Sequence, residues 1–268
     1  MTKPFASVPL PAGRSSAKPR HRGLTMMMDW GLPLGQQEDW LTLLAPVVDL
    51  AKLVVGTARL YEEDYLRRKL DLYASRDVRP FLGGQFMEYV FATQGMAGVK
   101  PFCDEAVRLG IHAIEVSDNV VTLDDDDRRA IIGTAVESGL EVHGEVGSKS
   151  EDSGAETLVS QARVCFDAGA DVVLVEGAEL LRDGVPNQAL VDGLRAGLDT
   201  ERVIFELSGY WVPGTHHTDN YQLKVFLVRT FGPDVNLANV MPADVWETEA
   251  LRCGLSIPGP TGPGVSEV

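Results

Sequence analysis

Four glutamates and an asparagine recur along this chain at a nearly constant interval. Glu115, Glu145, Glu176, Glu206 and Asn236 are 30, 31, 30 and 30 residues apart. Each sits in or at the end of a short apolar run: "IHAIEVSD", "LEVHGEVG", "DVVLVEG", "RVIFELSG" and "VNLANV". Three earlier runs, "GLTMMMDWG", "VVDLAKLVVG" and "VRPFLGG", continue the series towards the N-terminus. Short runs rich in Val, Ile, Leu and Phe and bounded by Gly, Asp or Ser read as buried strands. The stretches between them read as helices. "YEEDYLRRKLDLYASRD" has apolar residues at 65, 66, 70 and 73, with acids early and bases later, as the helix dipole prefers. "DDDDRRAIIGTAVESG" opens on acids and stops at Gly139, and "AETLVSQARVCFDAG" and "NQALVDGLRAGLD" follow the same plan.

Strand then helix, repeated, predicts parallel pairing with right-handed crossovers. Equal units favour a ring of equivalent strands over an open doubly wound sheet. An open sheet would also carry a Gly-rich phosphate loop after its first strand, and none is present. The expected fold class is therefore α/β, a single-domain (β/α)8 TIM barrel over residues 21–256, close to the usual length of about 250 residues. Residues 1–20 read as a disordered arm without the apolar segment of a secretory signal, and 257–268 as a disordered Pro/Gly-rich tail.

A net charge of -15 argues against nucleic acid as a partner, because phosphate contacts need a basic face. No run of 18 apolar residues occurs, so no membrane span is expected. Cys103, Cys165 and Cys253 are scattered, with no CxxC spacing, which fits a reduced cytoplasmic setting better than a disulfide or zinc framework.

Side chains alternate across a strand, so in a barrel one set faces the helices and the other the interior. In "LEVHGEV" the apolar set Leu140, Val142 and Val146 should face the helices, leaving Glu141, His143 and Glu145 inward. The same count puts Glu115 with Ser117, Leu50 with Lys52, Glu176 with Val172 and Leu174, and Glu206 with Ile204 on inward faces. Thr25, Met27 and Asp29 are read as a further inward set. The outcome is a ring of Asp29, Lys52, Glu115, Glu145, Glu176, Glu206 and Asn236 at the C-terminal strand ends, where barrel enzymes carry their sites. So many carboxylates in one mouth repel unless a cation lies among them, and a hard, oxygen-seeking one, Mg²⁺ above all, is the expected answer. Glu115, Glu145 and Glu176 are the candidate metal ligands. Lys52 and Lys149 are candidate proton donors or bases, with Asp29 and Glu206 beside them. A small-molecule substrate is the implied partner. Two alternatives stand beside this reading: strand-end acids that merely cap the next helix, and a Schiff base formed by Lys52. His216 and His217 lie in a long loop and make a weaker metal candidate, and "DDDD" at 124–127 reads as a solvated helix start.

The ordered series "RGLTMMMDWGL", "KLVVGTARLY", "GGQFMEY", "IEVSDN", "EVGSK", "VEGAE", "VIFE" and "VNLANV" resembles the phosphosulfolactate synthases over about residues 20–255. The resemblance implies a (β/α)8 homo-oligomer that uses Mg²⁺ to add sulfite to phosphoenolpyruvate. Sulfite would attack the terminal methylene, charge would build on the carboxylate as a metal-stabilised enediolate, and a lysine would protonate the neighbouring carbon. Positions matching the family's motifs include Thr57, Gly83, Gly84, Ser117, Asn236, Asn239 and Arg252, which the resemblance assigns to substrate binding. The family's lysine directly after "EVG" is replaced by Ser148, leaving Lys149 one place later. Trp30 and Ala178 stand where the family usually carries Lys and Arg, and "LSGYWVPGTHHTDNYQ" after Glu206 is longer and more aromatic than its counterparts. The loss of basic groups points to a diverged member with a less anionic substrate, or to a non-catalytic stress-type barrel.

Overall fold

Each of the apolar runs forms a strand, and the helical stretches separate them in the computed structural model, which describes residues 4–10, 13–148, 153–182 and 185–260. In chain order the elements begin β1 (Thr25–Asp29), α1 (Leu34–Leu44), β2 (Leu50–Leu53), α2 (Glu63–Ala74), β3 (Arg79–Leu82), α3 (Gly84–Gln94), α4 (Met96–Leu109), β4 (Ala113–Val116) and α5 (Asp125–Glu137). They continue β5 (Glu141–Val146), α6 (Gly154–Asp167), β6 (Val172–Val175), a hairpin of β7 (Leu181–Arg182) and β8 (Val185–Pro186), α7 (Gln188–Gly197), β9 (Val203–Glu206), α8 (His217–Phe231), β10 (Leu237–Val240) and α9 (Val245–Arg252). The sheet closes in the order β1-β10-β9-β6-β5-β4-β3-β2, all parallel, which is the (β/α)8 barrel.

Alternation divides the apolar residues into two cores. Met26, Leu50, Phe81, Ala113, Leu174, Ile204 and Ala238 fill the barrel interior, together with Leu24 just before β1. His143 packs edge-on against Phe81 at 4.6 Å and is as buried as its neighbours. Met27, Ala51, Leu53, Ile114, Val142, Val173 and Phe205 face outward and meet the helices in a larger shell.

The floor, at the N-terminal strand ends, is held by charge. Arg20 pairs with Asp49 at 2.9 Å, and Asp49 also accepts the Thr25 N–H. Arg14 bonds Glu249 and Asp234, and Ser15 donates to Asp234. The expected disordered arm is thus bonded to the barrel from Arg14 onward. Its charges find partners there, buried Asp49 for Arg20 and half-buried Asp234 and Glu249 for Arg14, which a reading of polarity alone could not anticipate. Residues 261–268 of the expected tail lie outside the described residues. Among the described residues, no helix is long and apolar enough to cross a membrane.

Candidate active site

Four inward positions on four strands meet above the interior core. Lys52 comes from β2, Glu115 from β4, Glu145 from β5 and Glu206 from β9, and all four are buried. Lys52 Nζ lies 2.8 Å from Glu115 Oε2 and 3.2 Å from Glu206 Oε1. One carboxylate oxygen each of Glu115, Glu145 and Glu206 falls within 4.8 Å of the others. Three carboxylates against one ammonium leave a formal charge of 1 − 3 = −2 in a desolvated place, which is a strong electrostatic demand.

The protonation states follow from that crowding. Burial would lower the Lys52 value, but Glu115, Glu206 and Glu145 outweigh it and hold the ammonium above its ordinary range. Burial raises Glu115 to about 7 against the pull of Lys52, with Glu145 adding to the rise. Burial likewise lifts Glu206 well above a normal carboxylate, helped by Glu145 and Glu176 and opposed by Lys52. His143, just below, is driven down to about 3 by burial and stays a neutral ring.

Neighbouring loops fix this ring. The Gly84 N–H donates to Glu115 Oε1 at 2.8 Å, and a Cβ on Gly84 would come within 2.1 Å of Ser117 Oγ, so only glycine lets the chain approach. Asn119 donates to Glu145 Oε1 at 2.7 Å. Ser117 donates to Glu88, which also accepts the N–H groups of Val120 and Val121. Above the ring lies a cavity of about 200 Å³, lined by Met28, Lys52, Glu145, Glu206, Gln85 and Asn239 and roofed by Trp30 and Trp211, whose rings lie 5.5 Å apart. The β1–β10 register slips between its Thr25↔Leu237 and Met27↔Val240 pairs, and Asn239 sits at φ +59. This irregularity, a device for re-aiming a side chain near a site, brings Asn239 into the mouth.

The structure brings together Lys52, Glu115, Glu145 and Glu206 and places Gly83, Gly84, Ser117 and Asn239 around them. A Cβ on Gly83 would stand 3.3 Å from Lys52 Cε, so this glycine leaves room for the lysine stem. Thr57 follows β2, and its hydroxyl donates to Val54 O, closing the loop. Lys149 lies outside the described residues.

Several expectations are corrected. Glu176 is not in the converging set, and Glu206 takes its place. Glu176 lies one residue past β6, and its Oε1 accepts the Ala178 N–H at 3.1 Å, turning the carboxylate along its own loop. Asp29 does not face the mouth. In "TMMMD" it is Met26 that enters the barrel interior, so Asp29 faces the helices, where it pairs with Lys69 at 2.9 Å and accepts from Tyr73. Asn236 and Arg252 belong to the floor. Asn236 accepts the Leu24 N–H and donates to Glu201 O and Val203 O, and Arg252 donates to the carbonyls of Leu24, Pro233 and Val235. His216 caps α8, its N–H donating to Asp219. Asn119 was missed, although its spacing of two from Ser117 places it on the Glu115 face.

A closed parallel barrel with buried carboxylates around one lysine at its C-terminal mouth is the build of a TIM-barrel enzyme. The chain belongs to the (2R)-phospho-3-sulfolactate synthase (ComA) family, whose model matches residues 13–257. It is 29% identical over 251 residues to the phosphosulfolactate synthase of Methanothermobacter thermautotrophicus, covering 90% of this chain and 92% of that one. Against the enzyme of the same name from Methanocaldococcus jannaschii it is 29% identical over 245 residues, covering 87% and 92%. Among solved structures, a phosphonopyruvate hydrolase complexed with oxalate and Mg²⁺ superposes with a TM-score of 0.51 at 12% identity, covering 84% of this chain and 77% of that one, a likeness of fold.

Proposed function

We propose that the protein is a Mg²⁺-dependent synthase that adds sulfite, or a related nucleophile, to phosphoenolpyruvate. One observation carries the proposal: a protonated lysine held between carboxylates at the bottom of a closed mouth, in a chain of this family. The residues fit a divalent cation. With all three carboxylates ionised the surplus charge is −2, the donors are hard oxygens, and one oxygen from each lies within 4.8 Å of the others. Glu115, Glu145 and Glu206 would hold it, and when bound it supplies positive charge against the charge that builds on the substrate carboxylate.

The protein's own groups supply the rest. The sulfur lone pair forms the new C–S bond at the terminal methylene, and the π electrons move towards the carboxylate. Lys52 gives its proton to the adjacent carbon, and the phosphoester is kept. Glu115 and Glu206, 2.8 Å and 3.2 Å from the nitrogen, keep it protonated and hold it in place. The same ion pairs argue against Lys52 as a Schiff-base nucleophile, because they hold the nitrogen protonated. Trp30 and Trp211 narrow the entrance and limit water above the reacting atoms.

Phosphorus NMR of phosphoenolpyruvate, sulfite and Mg²⁺ with the protein should show the enol phosphate replaced by a saturated phosphoester. No turnover by folded protein at any Mg²⁺ concentration would overturn the sulfite reading. Trp30 and Ala178, standing where the family carries basic residues, favour a second reading, the same chemistry on a less anionic substrate. We further propose a homo-oligomer, as the family resemblance implies, and a cytoplasmic setting, which the scattered cysteines favour.

A further inference from the structure

A second cavity, of about 360 Å³, opens beside the mouth between the first turns of α8 and the segment 241–247. A small pocket of about 70 Å³, lined by Ser208 and Trp211, lies between it and the mouth. Asn239 lines all three spaces, so they adjoin one another along a line from Lys52 to the α8 cleft. Along that line, three polar atoms are buried with no hydrogen-bond partner among the described residues: Ser208 Oγ, Asn239 Oδ1 and Asn220 Oδ1. Ser208 is 2% exposed and Asn239 6%, so neither can be satisfied by bulk solvent. A buried polar atom left without a partner is destabilising, and three such atoms lining adjoining spaces form a site for a ligand to fill.

The charges say what kind of group fits. Lys224, Asp244 and Glu247 line the cleft and sum to −1, and the Lys224 ammonium is already engaged by Glu247. A phosphate or sulfonate would meet two carboxylates and no uncommitted lysine or arginine there. The three unsatisfied atoms are oxygens able to accept. We propose that these adjoining spaces are a specificity subsite for an uncharged or cationic arm that donates hydrogen bonds, a hydroxyl or an amine, on a substrate whose reacting end lies at Lys52. That the arm belongs to the substrate rests on the second reading above, the same chemistry on a less anionic substrate. That the subsite binds donors does not.

Saturation-transfer NMR on the intact protein tests it without turnover, using 2-aminoethanol, glycerol and inorganic phosphate as probes. Asn220→Ala should weaken 2-aminoethanol and glycerol about fivefold, the worth of one hydrogen bond of about 1 kcal/mol, and leave phosphate unaffected. Asn220→Asp, which keeps the size and adds charge, should tighten 2-aminoethanol alone, with circular dichroism showing both variants folded. Phosphate binding lost on Asn220→Ala, or donor probes indifferent to both substitutions, would overturn the proposal. Failure of the sulfite assay with these responses intact would count against the reaction and not against the subsite.

Discussion

Stability as a function of pH, with and without a divalent cation, tests the ring directly. Burial lifts Glu115 from its ordinary 4.5 to about 7, so the folded state keeps this proton longer than the unfolded chain does. A carboxyl raised in this way costs the fold nothing below 4.5 and progressively more as pH climbs to 7, where the cost is complete. The size is about 2.5 pH units at 1.36 kcal/mol each, or about 3 kcal/mol. Glu206, also raised by burial, acts in the same direction. His143 acts oppositely. Its folded value near 3 lies below the ordinary 6.5, so its contribution is present above 6.5 and lost as pH falls. The two slopes overlap, and a single titration of stability would show little. A cation among the carboxylates offsets the penalty on the ionised form and does not change the burial of His143. The difference in unfolding free energy between Mg²⁺ and chelator, from urea melts followed by tryptophan fluorescence, should therefore grow by at least about 3 kcal/mol from pH 4.5 to 7, with Glu206 adding to Glu115's share. Glu115→Gln should reduce that growth, leaving the share that Glu206 carries. A Mg²⁺ increment independent of pH, or one that survives Glu115→Gln unchanged, would refute the reasoning.

Lys52→Met removes the proton donor and strands three buried carboxylates. Turnover should fall by about 10²–10⁴-fold, and stability in chelator by about 3–5 kcal/mol, with Mg²⁺ restoring part of the stability but none of the turnover. Asp29→Asn breaks a buried pair with Lys69 in the helix shell, so it should cost a similar amount in a urea melt yet leave the Mg²⁺ increment as in the wild type. Trp30→Lys places a cation at the entrance, and steady-state assays should show a several-fold lower KM for phosphoenolpyruvate with kcat little changed; an unchanged KM would mean that position 30 does not face the substrate.

The barrel was legible because strand and helix alternate in equal units, and the ring because charge alternates with apolar residues. In "LEVHGEV" and "VVDLAKL" only one face can be buried against helices, and Lys52 and Glu145 follow from that. "TMMMD" offers no such contrast. Every residue of β1 is buried, so only the methionine that enters the interior, Met26, fixes the parity, and it turns Asp29 towards the helices. Asn236 kept the 30-residue interval but missed the mouth. Leu237 pairs with Phe205, and that register leaves Asn236 before β10, at the floor. Glu176 keeps the spacing and the parity, and its Oε1 accepts the Ala178 N–H of its own loop, a local bond that no pattern encodes. Arg252 matched a family motif at a distance from the mouth that only the closed barrel reveals.

The same energetics explain how the ring can stay while its surroundings differ from the family pattern. Lys52 is buried between Glu115 and Glu206, so changing it alone strands the carboxylates at a cost of about 3–5 kcal/mol, a large part of a domain's whole stability. Trp30 is 37% exposed and Tyr210 73% exposed, and substitutions at such positions usually shift stability by no more than about 0.5 kcal/mol. Chemistry at the strand ends therefore changes as a unit or not at all, whereas the rim changes residue by residue. A barrel of this construction can exchange lysine and arginine at its entrance for an aromatic wall and a donor-binding cleft while the proton carrier and its carboxylates remain in register. On the function and subsite proposed above, recognition falls to Trp30, Trp211, Asn220 and Asn239, and the bond-making step to Lys52.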